Sequence, residues 1–215
     1  MIELGEIQKL EVVREKTFGV YLAEGSGEAA SVLLPKKQVP SGIKIGDSIT
    51  VFIYKDSEDR LIATTETPRL QVGETAVLTV KDVSRIGAFL DMGLEKDLLL
   101  PFKEQSHPVK KGEECLVALY VDKSSRLAAT MRVYHYMSNQ SPYQKDDKVR
   151  GRIYEINENL GAFVAVDNRY YGLIPKKEIF QDLREGEEVE ARVLKVRESS
   201  GGTGPVKLQQ PIELG

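Results

Sequence analysis

The chain has 215 residues, a formal net charge of -3, 41% hydrophobic residues and 29% charged residues. This composition is typical of folded globular domains and excludes a chain that is disordered throughout. The slightly acidic balance also argues against a polybasic protein that holds nucleic acid mainly by counterion release, so any nucleic-acid site must be local.

The cysteine content and the hydropathy pattern bear on the cellular compartment. The single cysteine, Cys115, cannot form an internal disulfide, and its apolar neighbours predict a buried side chain. The segment Met1–Glu6 lacks the basic and apolar regions of a leader peptide, and no run approaches the ~18 apolar residues of a membrane helix. We therefore expect a cytoplasmic location and no membrane partner.

Three segments of the chain carry the same landmarks in the same order, beginning with Gly5-Glu6, Gly73-Glu74 and Asp147-Lys148. A stretch of period-two alternation follows each opening, and then a glycine-containing turn. The turn reads Phe18-Gly19-Val20-Tyr21-Leu22, Ile86-Gly87-Ala88-Phe89-Leu90 and Leu160-Gly161-Ala162-Phe163-Val164.

A proline after the third predicted strand and a later glycine repeat at matching intervals. The prolines are Pro35, Pro101 and Pro175, and the glycines Gly46, Gly112 and Gly186 repeat the same two spacings. The second-strand glycine permits a sharp backbone bend, and the proline ends strand pairing because it has no N–H. Both features suit a small sheet that must coil until it closes.

Each repeat reads as about five short strands, and the last strand is visible in the first two repeats at 60–64 and 126–130. This pattern predicts an all-β protein of three tandem five-stranded antiparallel barrels of the OB kind. The predicted units are residues 1–67, 71–134 and 145–198, followed by an atypical tail at 199–215.

Two junctions connect the units. The segment Tyr134–Tyr143 has no strand alternation and contains turn formers, so we interpret it as a linker. The junction at 65–70 is shorter, which predicts more rigid packing between the first and second units than between the second and third.

The landmarks resemble those of the S1 RNA-binding domain, named after ribosomal protein S1, and the third repeat fits best. Its matching residues are Val149-Arg150-Gly151-Arg152-Ile153, Gly161-Ala162-Phe163-Val164, Gly172-Leu173-Ile174 and Gly186-Glu187-Glu188-Val189. The chain up to about residue 198 resembles the bacterial CvfB family, also called the YitL or conserved virulence factor B group. That resemblance implies RNA binding and post-transcriptional regulation, including virulence gene expression.

The chain departs from this family pattern in two ways. The resemblance implies a winged helix after the third domain, and the residues from Ser199 to Gly215 show no such pattern. S1 domains that bind RNA well often carry a histidine where this chain has Pro35, Pro101 and Pro175, so one usual contact is missing from each repeat.

An OB barrel binds single-stranded RNA with exposed aromatic rings that stack on bases and with cations beside them. In the third repeat Arg150, Arg152 and Tyr154 alternate along one strand, so we expect them on one exposed face with Phe163 of the neighbouring strand. The further candidates of this repeat are Tyr170, Tyr171, Lys176 and Lys177. The alternative is that Phe163 or a tyrosine belongs to the core and the arginines form an ordinary solvated face.

The first repeat has a smaller cluster of the same kind, formed by Phe18, Tyr21, Lys36 and Lys37. In the second repeat Ile86 replaces the first aromatic residue, and only Phe89 and Lys103 remain of the pattern. The third repeat is therefore the first choice for an RNA site, and the first repeat is the second choice.

The sequence favours a binding protein over an enzyme. His107 and His135 have no partners at metal-ligand or catalytic-triad spacing, and no phosphate-binding or dinucleotide motif occurs. We expect no cofactor and no small-molecule substrate, and single-stranded RNA as the partner. The rival hypothesis is a protein-interaction scaffold of OB barrels without nucleic-acid binding, which the near-neutral charge of each repeat permits.

Overall fold

The computed structural model describes residues 1–25, 30–196 and the backbone of 212–214, and within them fifteen strands form three five-stranded units. The first barrel consists of β1 (Ile7–Lys16), β2 (Gly19–Ala23), β3 (Val32–Pro35), β4 (Ser48–Lys55) and β5 (Leu61–Thr64). It closes in the order β1-β2-β3-β5-β4. All of its strand pairs are antiparallel except β3 with β5, which is parallel.

The second and third units repeat this order. The second consists of β6 (Thr75–Ser84), β7 (Gly87–Leu90), β8 (Leu98–Pro101), β9 (Glu114–Val121) and β10 (Leu127–Thr130). The third consists of β11 (Lys148–Asn157), β12 (Gly161–Val166), β13 (Tyr170–Pro175), β14 (Glu188–Lys195) and β15 (Ile212–Leu214). The second is a sheet in the order β10-β9-β6-β7-β8, and the third is a closed barrel. The predicted all-β fold of three small barrels is confirmed.

Four short 3₁₀ helices complete the described secondary structure. Three of them follow the repeated prolines, at Lys36–Gln38, Phe102–Glu104 and Lys176–Glu178. The fourth, Tyr134–Tyr136, starts the segment between the second and third barrels. No helix in the described part of the chain is long and apolar enough to cross a membrane.

The repeated glycine begins the second strand of each barrel, where the third strand passes very close. A Cβ atom added at Gly19, Gly87 or Gly161 would lie 2.2, 2.4 or 2.0 Å from a carbonyl oxygen of the facing strand. Real Cβ atoms do not approach backbone so closely, and the φ angles of +153°, +148° and +127° also disfavour a side chain. The glycine therefore lets two strands approach where the barrel closes.

The first strand of each barrel contains a β-bulge at the same position in the repeat. The pairing with the second strand shifts by one residue at Val13, at Lys81 and at Tyr154. Because a bulge adds one residue, the side chains after it lie on the opposite faces from those that strict alternation would give them. As a result the residue opposite the turn aromatic differs in charge between the barrels: the pairs are Arg14 with Tyr21, Asp82 with Phe89 and Glu155 with Phe163.

The third barrel extends beyond its expected end at residue 198. Ile212–Leu214 forms β15, which pairs with β13 and β14 and closes the barrel. The expected tail therefore includes the fifth strand of this barrel, and the remaining tail residues, 199–211 and 215, lie outside the described residues. Three residues are too few to show an alternation, which is why the sequence did not reveal this strand.

The barrels pack against each other at both junctions. Phe52 of β4 packs into the core of the second barrel beside Leu70, so the first two barrels share apolar packing. The second and third barrels share a separate buried cluster, formed by Leu116, Ala118, Val133, Met137, Tyr154, Phe163, Ala165 and Tyr171.

The expected linker between the second and third barrels is packed at its start. Val133 and Met137 are buried, and the backbone of Ser138 pairs with β13. The Ser138 N–H donates to the Arg169 carbonyl at 2.8 Å, and the Tyr171 N–H donates to the Ser138 carbonyl at 3.1 Å. The start of this segment therefore packs between the barrels, and the expectation of a looser second junction stays a prediction.

Candidate nucleic-acid interface

The first barrel has an open face with aromatic rings and cations side by side. Phe18 is 54% exposed and meets the half-buried Tyr21 edge to face, with ring centroids 6.3 Å apart. The Arg14 guanidinium lies over the Tyr21 ring, 4.3 Å from its centroid. An exposed ring beside a ring that carries a cation is the arrangement on which unpaired bases stack. We call Arg14, Phe18, Tyr21 and Lys36 the first-barrel face.

Arg14 belongs to this face because of the bulge in β1. Strict alternation from Lys9 through Glu11 would place Val13, and not Arg14, on the same side of the strand. The extra residue at the bulge reverses the phase, and Arg14 comes to lie opposite Tyr21. The sequence does not predict Arg14 at this face, because a bulge leaves no strong signal in the alternation.

The two lysines that follow β3 have different surroundings. Lys36 is exposed at the end of β3, and its N–H donates to the Phe18 carbonyl at 3.0 Å, which joins the 3₁₀ turn to the aromatic turn. Lys37 forms an ion pair with Glu95 of the second barrel. The hydrogen bond from the Lys37 ammonium to the Glu95 carboxylate, together with the negative charge of that carboxylate, raises the pKa of Lys37 above its ordinary value. Lys37 therefore contributes to the contact between barrels, and Lys36 remains beside the aromatic rings.

The expected RNA face of the third barrel is covered. Four of the expected residues are at least nine-tenths buried: Arg152, Tyr154, Phe163 and Tyr171. Arg150 is exposed. The prediction that Arg150, Arg152, Tyr154 and Phe163 share one exposed face is therefore wrong. Two causes combine: the bulge at Tyr154 breaks the alternation, and the second barrel covers this side of the third.

Tyr134 occupies the space against the aromatic rings of the third barrel. Its ring meets Phe163 and Tyr171 at centroid distances of 5.9 and 5.1 Å in edge-type contacts. The Tyr171 hydroxyl donates to the Tyr134 carbonyl, and Leu116 and Ala118 of β9 complete the cover. Side chains of the protein itself thus cover the aromatic rings of this face.

Burial changes the chemistry of the tyrosines in this covered face. Desolvation, with smaller effects from neighbouring groups, raises the pKa of Tyr154 well above its ordinary value and that of Tyr171 to about 12. The Tyr154 hydroxyl and the Arg152 Nε have no hydrogen-bond partner among the described residues. Arg152 is otherwise held by the Gly186 carbonyl at 2.8 Å and by Glu188 at 2.9 Å.

The other third-barrel candidates do not assemble into one cluster. Arg150 is exposed and forms an ion pair with Glu190 at 2.6 Å, and Tyr170 is half-buried against Tyr143. The exposed Lys176 and Lys177 lie beyond β13, in the 3₁₀ turn. The Arg169 guanidinium lies over the Tyr170 ring, 5.7 Å from its centroid, and Phe180 is 87% exposed. The described strand pairing nevertheless places a carboxylate, Glu155, opposite the turn aromatic Phe163 of this barrel.

The second barrel has its turn aromatic, Phe89, half-buried beside the first barrel. Across the strand pair it faces Asp82, a carboxylate, where the first barrel has Arg14. In the described residues, no group of three or more His, Cys, Asp or Glu side chains is placed to hold a metal ion.

Comparison with known proteins agrees with this architecture. Residues 4–66 and 72–132 match the family model described as S1 domain, and residues 143–203 match the one described as S1 RNA binding domain. The solved structure of "a multidomain protein with nucleic acid binding domains" from Streptococcus pneumoniae covers 98% of this chain and 73% of its own. Its TM-score is 0.57 at 19% sequence identity, which shows a shared fold.

Two named relatives are similar over most of the chain. "Uncharacterized protein YitL" of Bacillus subtilis is 29% identical over 204 residues, which cover 90% of this chain and 67% of the relative. "Conserved virulence factor B" of Staphylococcus aureus is 24% identical over 200 residues, which cover 89% and 66% respectively. The chain thus spans about two thirds of the length of these relatives, and the resemblance noted from the sequence is confirmed.

Proposed function

Because the chain belongs to the S1 domain family, we propose that it binds single-stranded RNA through the open first-barrel face. The observation that supports this most directly is the placement of Arg14 over Tyr21 beside the exposed Phe18. The first barrel alone among the three puts a cation opposite its turn aromatic in the described strand pairing.

In this proposal unpaired bases stack on Phe18 and Tyr21, and Arg14 and Lys36 neutralise the adjoining phosphates. Stacking on aromatic rings contributes about 1 to 3 kcal/mol per base and tolerates different sequences, because every base has a π face. Charge-assisted contacts to phosphate position the strand and make the affinity dependent on salt. The third barrel then serves mainly to pack against the second through its covered face.

A role in bacterial gene regulation is a further part of the proposal. It rests on the name of the staphylococcal relative, conserved virulence factor B, and a regulator that acts on messenger RNA would need an RNA site of this kind. The expected cytoplasmic location is consistent with such a ligand and stays a prediction. The rival function, a protein-interaction scaffold, is supported by the covered aromatic face of the third barrel.

The test is a titration of labelled oligoribonucleotides, followed by fluorescence anisotropy, with single alanine variants. Phe18→Ala and Tyr21→Ala should each weaken binding by about 1 to 3 kcal/mol, which is roughly five- to 150-fold. Phe180→Ala removes a ring that is 87% exposed on the third barrel and should leave the affinity unchanged. Wild-type affinity in a folded Phe18→Ala/Tyr21→Ala double variant would contradict the proposal and favour the scaffold.

Salt dependence provides a second measurement on the same face. Arg14→Gln should reduce the slope of log affinity against log salt by about 1, because one phosphate contact is lost. Arg150→Gln is the matched control, since Arg150 is exposed and already paired with Glu190. An equal change of slope in both variants would indicate a general charge effect and not a site at Arg14.

A further inference from the structure

A cleft of about 340 Å³ lies between the first and second barrels. It is lined by Tyr54 of β4 from the first barrel and by Phe89 of β7 and Leu99 of β8 from the second. Met92 and Ala128 are buried and line the bottom. The volume is in the range of pockets that hold small ligands, roughly 300 to 1,000 Å³. The cleft is therefore large enough for one planar group, and two aromatic side chains line it.

The position of this cleft in the fold indicates its use. OB barrels bind oligonucleotides on the face of their second and third strands and on the loop between their fourth and fifth strands. In the second barrel these are β7, β8 and the turn with Asp122 and Arg126, and all three line the cleft. The first barrel contributes Lys55 at the end of β4 and Ser57 of its β4–β5 turn to the lining.

Polar contacts between the two barrels hold the cleft in shape. Arg126 forms an ion pair with Asp59 across the opening. The Lys96 Nζ donates to the carbonyls of Lys55 and Asp56, both at 2.9 Å. Because these contacts lie around the cleft, its two walls are positioned before any ligand enters, which lowers the entropic cost of binding.

The polar groups of the rim favour a neutral ligand with hydrogen-bond donors. The carboxylates of Asp97 and Asp122 line the cleft, and their recorded hydrogen bonds engage one oxygen of each, Oδ1. The second oxygen of each group can therefore accept a further hydrogen bond. Three cations, Lys55, Lys96 and Arg126, also line the cleft. The Lys96 ammonium is engaged by backbone carbonyls and Arg126 by Asp59, and the remaining carboxylate oxygens accept readily from the exocyclic amino group of a base.

From this combination we infer that the cleft binds one unpaired amino-bearing nucleobase, adenine or cytosine, against the aromatic side chains of Tyr54 and Phe89. The base belongs either to a free nucleoside or to an RNA strand that also contacts the first barrel, and the second case rests on the proposed function. This site is formed by two barrels together, because the first barrel supplies residues on one side of a cleft that the second barrel alone would leave open.

The test uses the full chain with methyl-labelled methionine and nuclear magnetic resonance. The chain has four methionines; Met92 lines the cleft, while Met137 lies in the cluster between the second and third barrels. Saturating adenosine, cytidine, oligo-A or oligo-C should shift the Met92 methyl signal through the ring current of the bound base and leave Met137 unmoved. A shift with nucleosides identifies a free ligand, and a shift with oligonucleotides alone identifies a strand.

Two variants and one matched control sharpen the result. Ser57→Trp places a bulky side chain at the exposed rim and should abolish the Met92 shift. Phe89→Ala should weaken the affinity of the cleft for the base five- to 100-fold, because one stacking ring is lost. Phe102→Ala removes an exposed ring of the same barrel that is not part of the cleft wall and should have no effect. An unchanged Met137 signal reports that each variant is folded.

Two results would overturn the inference: no Met92 shift with any of the four ligands, or an equal shift with uridine. If oligonucleotides bind by anisotropy and lose affinity in Phe18→Ala while Met92 stays unmoved, the cleft inference fails and the proposed function stands. If no oligonucleotide binds at all, the proposed function fails, and the nucleoside titrations still decide the inference.

Discussion

At the scale of single residues, the surroundings of an aromatic ring decide what it does. Tyr21 and Phe163 occupy the same position of the repeated turn, yet Tyr21 is half-buried beside the exposed Phe18, whereas Phe163 is 5% exposed. Phe163 packs against Tyr134 and Tyr154 in a cluster shared by two barrels. The repeated sequence thus produces a candidate stacking surface in one barrel and an internal contact in another.

These opposite surroundings predict opposite phenotypes. Phe163→Ala should lower the free energy of unfolding by about 3 to 5 kcal/mol, as is usual for truncating a buried phenylalanine, and should leave RNA affinity unchanged in the folded protein. Phe18→Ala should change the stability little, since its ring is mostly in solvent. Urea unfolding of both variants beside RNA titrations checks this, and a loss of RNA affinity without loss of stability in Phe163→Ala would contradict it.

The sequence predicted the kinds of residue at the site better than their exposure. The turns containing Phe18, Tyr21 and Phe163 were correctly identified as repeated aromatic positions, and Lys36 was placed beside the first of them. Exposure was wrong for Arg152 and Phe163, because it depends on which barrel packs against which. Alternation along one strand carries no information about that packing.

At the scale of secondary-structure elements, the repeated glycine and the bulge define each barrel. The glycine permits the close approach of the second and third strands, and the bulge sets which side chain faces the turn aromatic. The order of strands was predictable because period-two alternation and turn residues mark each strand. The bulge was not, since it adds one residue without changing composition, and β15 was not, since it has only three residues.

The glycine contact gives a prediction at this scale. Gly161→Ala should lower the melting temperature by several degrees, because the new Cβ would lie 2.0 Å from the Ile174 carbonyl and the strands must move apart. Gly25→Ala is the matched control, since nothing in the described structure lies within 4 Å of a Cβ added there. Equal melting temperatures for wild type and Gly161→Ala would show that the close approach is not required.

At the scale of the whole molecule, the three barrels are joined by two buried contacts. The first joins Phe52 to the core of the second barrel, and the second surrounds Tyr134, Phe163 and Tyr171. Sequence alone separated the chain into three units, but it could not show that the segment after residue 133 is packed. The burial of that segment depends on partners from two barrels, and their proximity appears only in three dimensions.

The contact between the second and third barrels should weaken at alkaline pH. Burial raises the pKa of Tyr171 to about 12 and raises that of Tyr154 as well, whereas an unfolded tyrosine titrates near 10. Above pH about 10 the unfolded chain binds fewer protons than the folded one, so stability falls as pH rises toward 12. For Tyr171 the full loss corresponds to about 3 kcal/mol.

Urea unfolding at a series of pH values measures this effect, and Tyr171→Phe removes one of the buried tyrosine hydroxyls whose pKa is raised. The variant should therefore show a shallower decline above pH about 10 than the wild type. A steeper decline in the variant, or none in the wild type, would mean that these hydroxyls are not desolvated in the folded protein.

The central claim is that RNA binds on the first barrel while the matching face of the third barrel is covered by the protein itself. Ultraviolet cross-linking of the full chain to single-stranded oligoribonucleotides, with the modified peptides mapped by mass spectrometry, tests this most directly. We expect adducts on Phe18 or Tyr21 and none on Tyr154, Phe163 or Tyr171. Adducts on those third-barrel aromatics with an unmodified first barrel would contradict it.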